Sequence, residues 1–277
     1  MKYLSLFTGV GGFELAIHNT FERAECVAWS EIDKHSIKVF EHRFPMLKGK
    51  NIGDVNHFQA WPYCAELIPD HDLVVAGSPC TDLSIAKSNR KGLKGDKSGL
   101  FWSFVHVLKT KKPRYFLLEN VASMSKTDRD IITETLGVDP IEINSDRFTP
   151  QKRRRLYWFN WDCSESLPET GERWPELVAW SRSTRYPKDA PKYVDERETR
   201  DGRANTLTTG SGCGSFSSKN YREIDGEKFP LHPDDCELLQ GFPEGWTEIA
   251  DSNTQRFKQI GNAVTVPVIE YILRGLK

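Results

Sequence analysis

The chain has 277 residues, 38% of them hydrophobic and 28% charged, and a formal net charge of −1. That length suits one large domain with a smaller companion, and the composition excludes a disordered chain. No apolar run approaches the length of a membrane span, and the near-zero total charge gives the whole molecule no attraction for a polyanion.

Taken from the start, "YLSLF" (Tyr3 to Phe7) reads as a buried strand, and a helical pattern follows from Phe13 to Asn19. A single lysine and no long apolar core precede the first glycines, which argues against a secretion signal. "VAW", from Val27, reads as a second strand, followed by a helix over Lys34 to His42. A third strand is expected just before "NIGDV", which contains Asp54. "LVVAG" (Leu73 to Gly77), "YFLLE" (Tyr115 to Glu119) and "RLYWFNW" (Arg155 to Trp161) read as further strands, with helices over Leu100 to Thr110 and Arg129 to Leu136. Strand–helix alternation with almost continuously apolar strands predicts an α/β fold, a parallel sheet covered on both faces. Ligands bind such sheets at the carboxyl ends of their strands.

After Trp161 the texture changes. Cys163 to Pro230 is rich in Pro, Gly, Ser, Arg and Trp without a helical period, which predicts a smaller, irregular or β-rich domain over 162–258. A helix is expected over His232 to Leu239. "QIGNAVTVPVIEYILRGL" reads as one closing helix with Val264, Val268, Ile272 and Leu276 on one face, so that 259–277 rejoins 1–161.

Three groups of residues carry chemistry. "LFTGVGGFELA" places Gly9, Gly11 and Gly12 between a strand and a helix, where a backbone without side chains lets a ligand approach closely. Glu31 lies about twenty residues on, the usual distance to a ribose-binding acid, and Asp54 is a second acid suited to an adenine amine. A glycine turn alone is as often structural; with both acids a nucleoside cofactor is the better reading, and the absence of G-x-G-x-x-G disfavours a dinucleotide. In the second group, Cys80 follows Ser78 and Pro79 at the end of an apolar strand. Most free cysteines are apolar fillers, but this one is followed by a hydrophilic loop. Lys87 to Lys97 contains five basic residues and one acidic, with glycines among them, as suits a mobile, phosphate-binding segment. Glu119 ends the neighbouring apolar strand, where a parallel sheet would bring it to the same substrate. In the third group, Arg147 to Arg155 contains five basic residues and no acidic one. Arg153 and Arg155 are two apart on an expected strand and would share a face. Taken singly, either basic run reads as solvated surface.

In this order and at these spacings, "LFTGVGG", "GSPC", "LENV", "PQKRRR" and "QIGNAV" resemble the cytosine-5 DNA methyltransferases over essentially Tyr3 to Leu276. The loop "GSPCTDLSIAKSNRKGL" is most similar to the animal de novo branch. Thr81 and Leu83 depart from the glutamine and aromatic usual in bacterial members. The resemblance implies a Rossmann-like sheet that binds S-adenosylmethionine, joined to a small target-recognition domain. Phe7, Gly9, Gly11 and Gly12 would line the cofactor, Glu31 would hold its ribose, Ile32 would pack on adenine, Asp54 would accept from the adenine amine and Val55 would belong to the same cofactor site. Pro79, Leu100, Asn262 and Val264 would complete the pocket. Cys80 would be the nucleophile, Glu119 and Arg155 would bind the target cytosine, and Arg153 would support the loop or a phosphate. Ser84, Arg90, Lys91, Gln151, Thr206, Thr208 and Thr209 would contact double-stranded DNA. No metal is implied, and a monomer in the cytoplasm (or a nucleus, in a eukaryote) is expected; six scattered cysteines without a C-x-x-C pair agree with a reducing compartment.

Other readings remain. The tRNA-methylating branch carries a Cys-Phe-Thr motif that is absent here. An inactive DNA-docking homologue would have no need of both Cys80 and Glu119. A nucleotide-dependent oxidoreductase would explain the glycines and Glu31 but not the ordered motifs.

Overall fold

The computed structural model describes residues 1–60, 62–78, 93, 100–163, 165–169, 171–182, 196–209 and 220–276, with the backbone alone for a few of them. Two compact units emerge: 1–143, 154–165 and 264–277 form the first, and 144–153 with 166–263 the second.

The first unit is built on β1 (Lys2–Leu6), α1 (Gly12–Thr20), β2 (Glu25–Ser30), α2 (Lys34–Arg43), α3 (His57–Ala60), β3 (Leu73–Gly77), α4 (Leu100–Lys111), β4 (Tyr115–Val121), α5 (Lys126–Leu136), β5 (Ile141–Asn144) and β6 (Arg154–Phe159). The sheet order is β2-β1-β3-β4-β6-β5. β1 pairs in parallel with both β2 and β3, and β3 pairs in parallel with β4. Leu4, Leu6, Val74, Ala76, Leu118 and Trp158 from the sheet pack with Phe101, Phe104, Val107 and Ile132 from α4 and α5. Each fully buried side chain of this size contributes roughly 1.5–3 kcal/mol. The alternate residues of β1 face α1, where Tyr3 meets His18 edge to face.

The mostly parallel α/β sheet agrees with the alternation in the sequence, and several details correct the expectations. β6 runs antiparallel to β4, with Glu119 opposite Tyr157. No crossover helix joins β5 to β6, and a parallel return needs one. The expected third strand before Asp54 is no strand; Asn51 makes one isolated bridge to Trp29. Glu119 is not terminal, because β4 continues to Val121. α5 starts three residues early because Ser125 caps it, its Oγ accepting from the Asp128 N–H at 3.0 Å.

The second unit carries β7 (Leu177–Arg182), β8 (Glu196–Thr199), β9 (Asn220–Ile224) and β10 (Glu227–Pro230), an antiparallel sheet in the order β10-β9-β7-β8. α6 (Pro233–Leu239) and α7 (Asn253–Asn262) follow. A buried ionic cluster joins them. Glu237, with no exposed surface, accepts from the Trp246 and Thr247 N–H groups at 2.8 and 2.9 Å and from Arg256 Nη2 at 2.7 Å. Arg256 also pairs with Asp234.

The single closing helix expected from the sequence is two. α7 ends at Asn262, Ala263 is extended (φ −67°, ψ 157°), and α8 (Val266–Leu273) belongs to the first unit. Pro267 sits in the first turn of α8. Within a continuous helix it would lack its hydrogen bond and clash with the carbonyl four residues back.

Candidate active site

The glycine turn follows β1. Phe7, Gly9 and Gly11 all have positive φ, at 59°, 59° and 90°. Gly11 is required twice over: its φ suits glycine, and a Cβ there would lie 2.5 Å from Phe44 Cε2. Gly9 instead faces open space, with nothing within 4 Å of the same position. Gly12 opens α1. The Gly9 N–H donates to Glu31 Oε2 at 2.9 Å, and Glu31 Oε1 accepts from the Ile32 and Asp33 N–H groups, both at 2.8 Å. An ionised carboxylate offers about four acceptor sites, so about one remains for a ligand hydroxyl. Beside it Ile32 leaves 67% of its surface exposed, an apolar face suited to a flat ring. Asp54 Oδ1 accepts from the Asn56 N–H at 2.9 Å, and Val55 is buried behind it. Asn51 fixes the rim: its Oδ1 accepts from the Glu31 N–H at 3.3 Å and the Gly53 N–H at 2.9 Å, and its Nδ2 donates to the Glu31 carbonyl at 3.0 Å. A carboxylate with residual capacity, an exposed apolar side chain and a bare glycine fit the nucleoside half of S-adenosylmethionine. Leu100 begins α4 and packs against the core, and Val264 is buried. Asn262 is the exposed last residue of α7, in the second unit.

The second cluster lies at the carboxyl end of β3. Gly77 is directly opposite Glu119 in the parallel register. A Cβ on Gly77 would come 3.6 Å from Glu119 Oε2 and 3.8 Å from Val264 Cγ1, which puts the glutamate and the start of the closing segment against one short stretch of backbone. Arg155, near the start of β6, places Nε 2.9 Å from Glu119 Oε1, with both side chains mostly buried. Its Nη1 donates to the Arg154 carbonyl at 2.9 Å. Asn120, buried, donates from Nδ2 to Ser78 Oγ at 2.9 Å and accepts from the Val121 N–H at 2.8 Å, fixing the strand end from which the chain runs on to Pro79 and Cys80. Asn120 and Asn51 were not singled out from the sequence, although Asn120 stands inside "LENV" beside the glutamate that was. Pro79, Cys80, Ser84, Arg90 and Lys91 lie outside the described residues.

Arg153 and Gln151 do not share a strand face with Arg155; they precede β6 and belong to the second unit. Arg153 is 3% exposed and donates to the carbonyls of Leu207, Gly261 and Ala263 at 2.9–3.1 Å. Gln151 is fully buried. Its Nε2 donates to the Leu239 carbonyl and to Gln240 Oε1, both at 3.1 Å, and its Oε1 accepts from the Leu207 N–H at 3.0 Å. The expected surface contact of Gln151 with DNA is therefore replaced by a scaffold role, because its amide is spent inside the protein. Thr206 Oγ1 donates to the Lys152 carbonyl at 2.7 Å, while Thr208 and Thr209 are exposed.

The family model of the C-5 cytosine-specific DNA methylases matches residues 1–199 and 169–277, the full length of the chain. The chain belongs to the C-5 cytosine-specific DNA methylases. Among curated relatives, the methylase is 30% identical to the type II methyltransferase M1.ScrFI of Lactococcus lactis subsp. cremoris, over 98% of this chain and 76% of that one. It is 25% identical to the type II methyltransferase M.HhaI of Haemophilus parahaemolyticus, over 98% and 93%. The S. pombe Dnmt2 methyltransferase shares the fold, with a TM-score of 0.67 at 17% identity over 99% and 97% of the two chains. The methylase accordingly transfers a methyl group from S-adenosylmethionine to carbon 5 of cytosine in DNA, by the covalent cysteine mechanism of its family. Among the described residues, no group of His, Cys, Asp and Glu is placed to hold a metal, and no helix is long and apolar enough to cross a membrane.

Proposed function

We propose that Cys80 is the nucleophile, that Glu119 and Arg155 hold the target cytosine, and that residues 206–209 help select the DNA site. The supporting observation is the Glu119–Arg155 pair, 2.9 Å apart, with Glu119 directly across the register from Gly77. Cys80 stands three residues beyond Gly77 in the sequence.

S-adenosylmethionine, when bound, supplies the sulfonium methyl. Phe7, Gly9, Gly11, Gly12, Glu31, Ile32, Asp54 and Val55 hold its nucleoside half, and Pro79, Leu100 and Val264 complete that pocket. Carbon 5 of cytosine is a poor nucleophile until the Cys80 thiolate adds to carbon 6. Addition pushes negative charge onto the ring. Glu119 answers it by passing a proton to N3 while its other oxygen accepts from the exocyclic amine, and Arg155 by donating to the O2 edge. Once carbon 5 carries the methyl group, loss of its proton restores the ring double bond and expels the Cys80 thiolate. The ring is inaccessible in a stacked duplex, so the base must swing out, at a cost of a few kcal/mol. Lys87, Ser84, Arg90 and Lys91 meet the phosphates around it. A single chain carries every residue used, so a monomer suffices.

Bisulfite sequencing of DNA from cells expressing the methylase tests the assignment. Unconverted cytosines in one short context, absent with Cys80→Ala, are the expected result. Equal conversion with wild type and variant would remove Cys80 from the mechanism.

A further inference from the structure

Gly261 stands in the last turn of α7. A Cβ there would lie 2.6 Å from both the carbonyl carbon and oxygen of Thr208 and 2.9 Å from the Thr209 nitrogen. These are backbone atoms, which cannot rotate aside as a side chain would. The segment they belong to is anchored on its other side. Ala204 N–H donates to the Pro150 carbonyl at 2.7 Å, and Leu207 is held at its N–H by Gln151 and at its carbonyl by Arg153. Beyond Leu207 the peptide of the exposed Thr208 and Thr209 rests on the bare α-carbon of Gly261. The same Arg153 guanidinium reaches the Gly261 and Ala263 carbonyls, so one side chain ties the helix end to the segment it supports.

We propose that Gly261 is a positioning residue for DNA recognition: its missing side chain seats the Thr208–Thr209 peptide against α7 and so fixes how those residues are presented to the target site. The proposal rests on the reading of 206–209 as DNA contacts and assigns Gly261 no part in the chemistry. A methyl group at Gly261 must push the peptide outward by a good fraction of an ångström, because ordinary carbon contacts begin near 3.5 Å.

The test is steady-state methylation of a duplex carrying the site, with Gly261→Ala, Arg153→Lys and Thr208→Ala/Thr209→Ala. Displacements on the order of 1 Å can cost up to about a hundredfold, so Gly261→Ala should raise the KM for DNA by about tenfold or more. Its kcat at saturating DNA and its affinity for S-adenosylmethionine should stay within about threefold. Arg153→Lys keeps the charge but cannot span three carbonyls, and should raise the DNA KM in the same way. If the double threonine variant raises the DNA KM and Gly261→Ala does not, the inference is wrong while the recognition reading stands. If the double variant leaves the DNA KM unchanged, the recognition reading itself fails. Losses of kcat and cofactor binding equal to the loss of DNA binding in Gly261→Ala would make the glycine merely structural and overturn the proposal. Should Gly261→Ala not fold, an unchanged DNA KM in Arg153→Lys overturns it alone.

Discussion

Glu14 lies in the first turn of α1 with no exposed surface, and neither carboxylate oxygen has a hydrogen-bond partner of good geometry. Burial pushes its carboxyl from the usual 4.5 up to about 7, against smaller opposing pulls from the Ser5 hydroxyl and its own backbone. Tyr3 of β1 and Cys26 of β2 face it, and their own pKa values are raised, first by burial and then by Glu14. A folded-state pKa above the unfolded one means that the native protein holds a proton the unfolded chain has already lost. The contribution of Glu14 to stability is then fully present below about pH 4.5 and is lost as pH rises to about 7. One pKa unit is about 1.4 kcal/mol, so the full loss is about 3 kcal/mol. Glu14→Gln keeps the shape of the neutral acid and does not titrate. Urea unfolding of both proteins at pH 5, 6, 7 and 8 reads the difference at each pH, so every other titrating group cancels. The variant should gain on the wild type by up to about 3 kcal/mol across that range. The unpaired amide adds only a constant offset, so the slope carries the result. A difference that does not change with pH would refute the buried neutral acid.

Three further outcomes are expected. Asn120→Ala removes the bond to Ser78 and should cost about 1–3 kcal/mol; kcat should fall while affinity for S-adenosylmethionine, measured by calorimetry, holds. Arg256→Met leaves Glu237 charged and unpaired in the interior and should destabilise by about 3–5 kcal/mol in urea titrations, whereas Asp234→Asn, at a more exposed partner, should cost far less. Binding to duplex DNA should weaken more than about tenfold between 50 and 200 mM salt in fluorescence-anisotropy titrations, and salt-independent binding would argue against the basic loop as a phosphate contact.

The legible parts of the molecule were those set by local pattern. Leu73–Gly77 was read correctly because a short apolar run bounded by turn residues has few other solutions. The convergence of Glu119 on the end of β3 followed from parallel pairing and appears as the Gly77–Glu119 register. Strand direction was not legible, since alternation of strands and helices says nothing of where a crossover is missing, and β6 reversed. Pro267 was visible, but the four-residue apolar spacing across it concealed the break between α7 and α8. The basic run at Arg153 looked like solvated surface because the carbonyls that bury it come from 54 to 110 residues further along. Nothing in the local pattern distinguishes Glu14 from an ordinary acid at a helix start, because its burial depends on β1 and β2.

The small segment 144–153, which belongs to the second unit although 154–165 does not, matters for engineering. Grafting residues 166–263 alone from a relative of different specificity would leave Gln151 and Arg153 behind, and with them the bonds to Leu207, Leu239, Gly261 and Ala263. A chimaera should move both stretches together. A cut at 258 would divide α7 and part the helix from its own glycine seat.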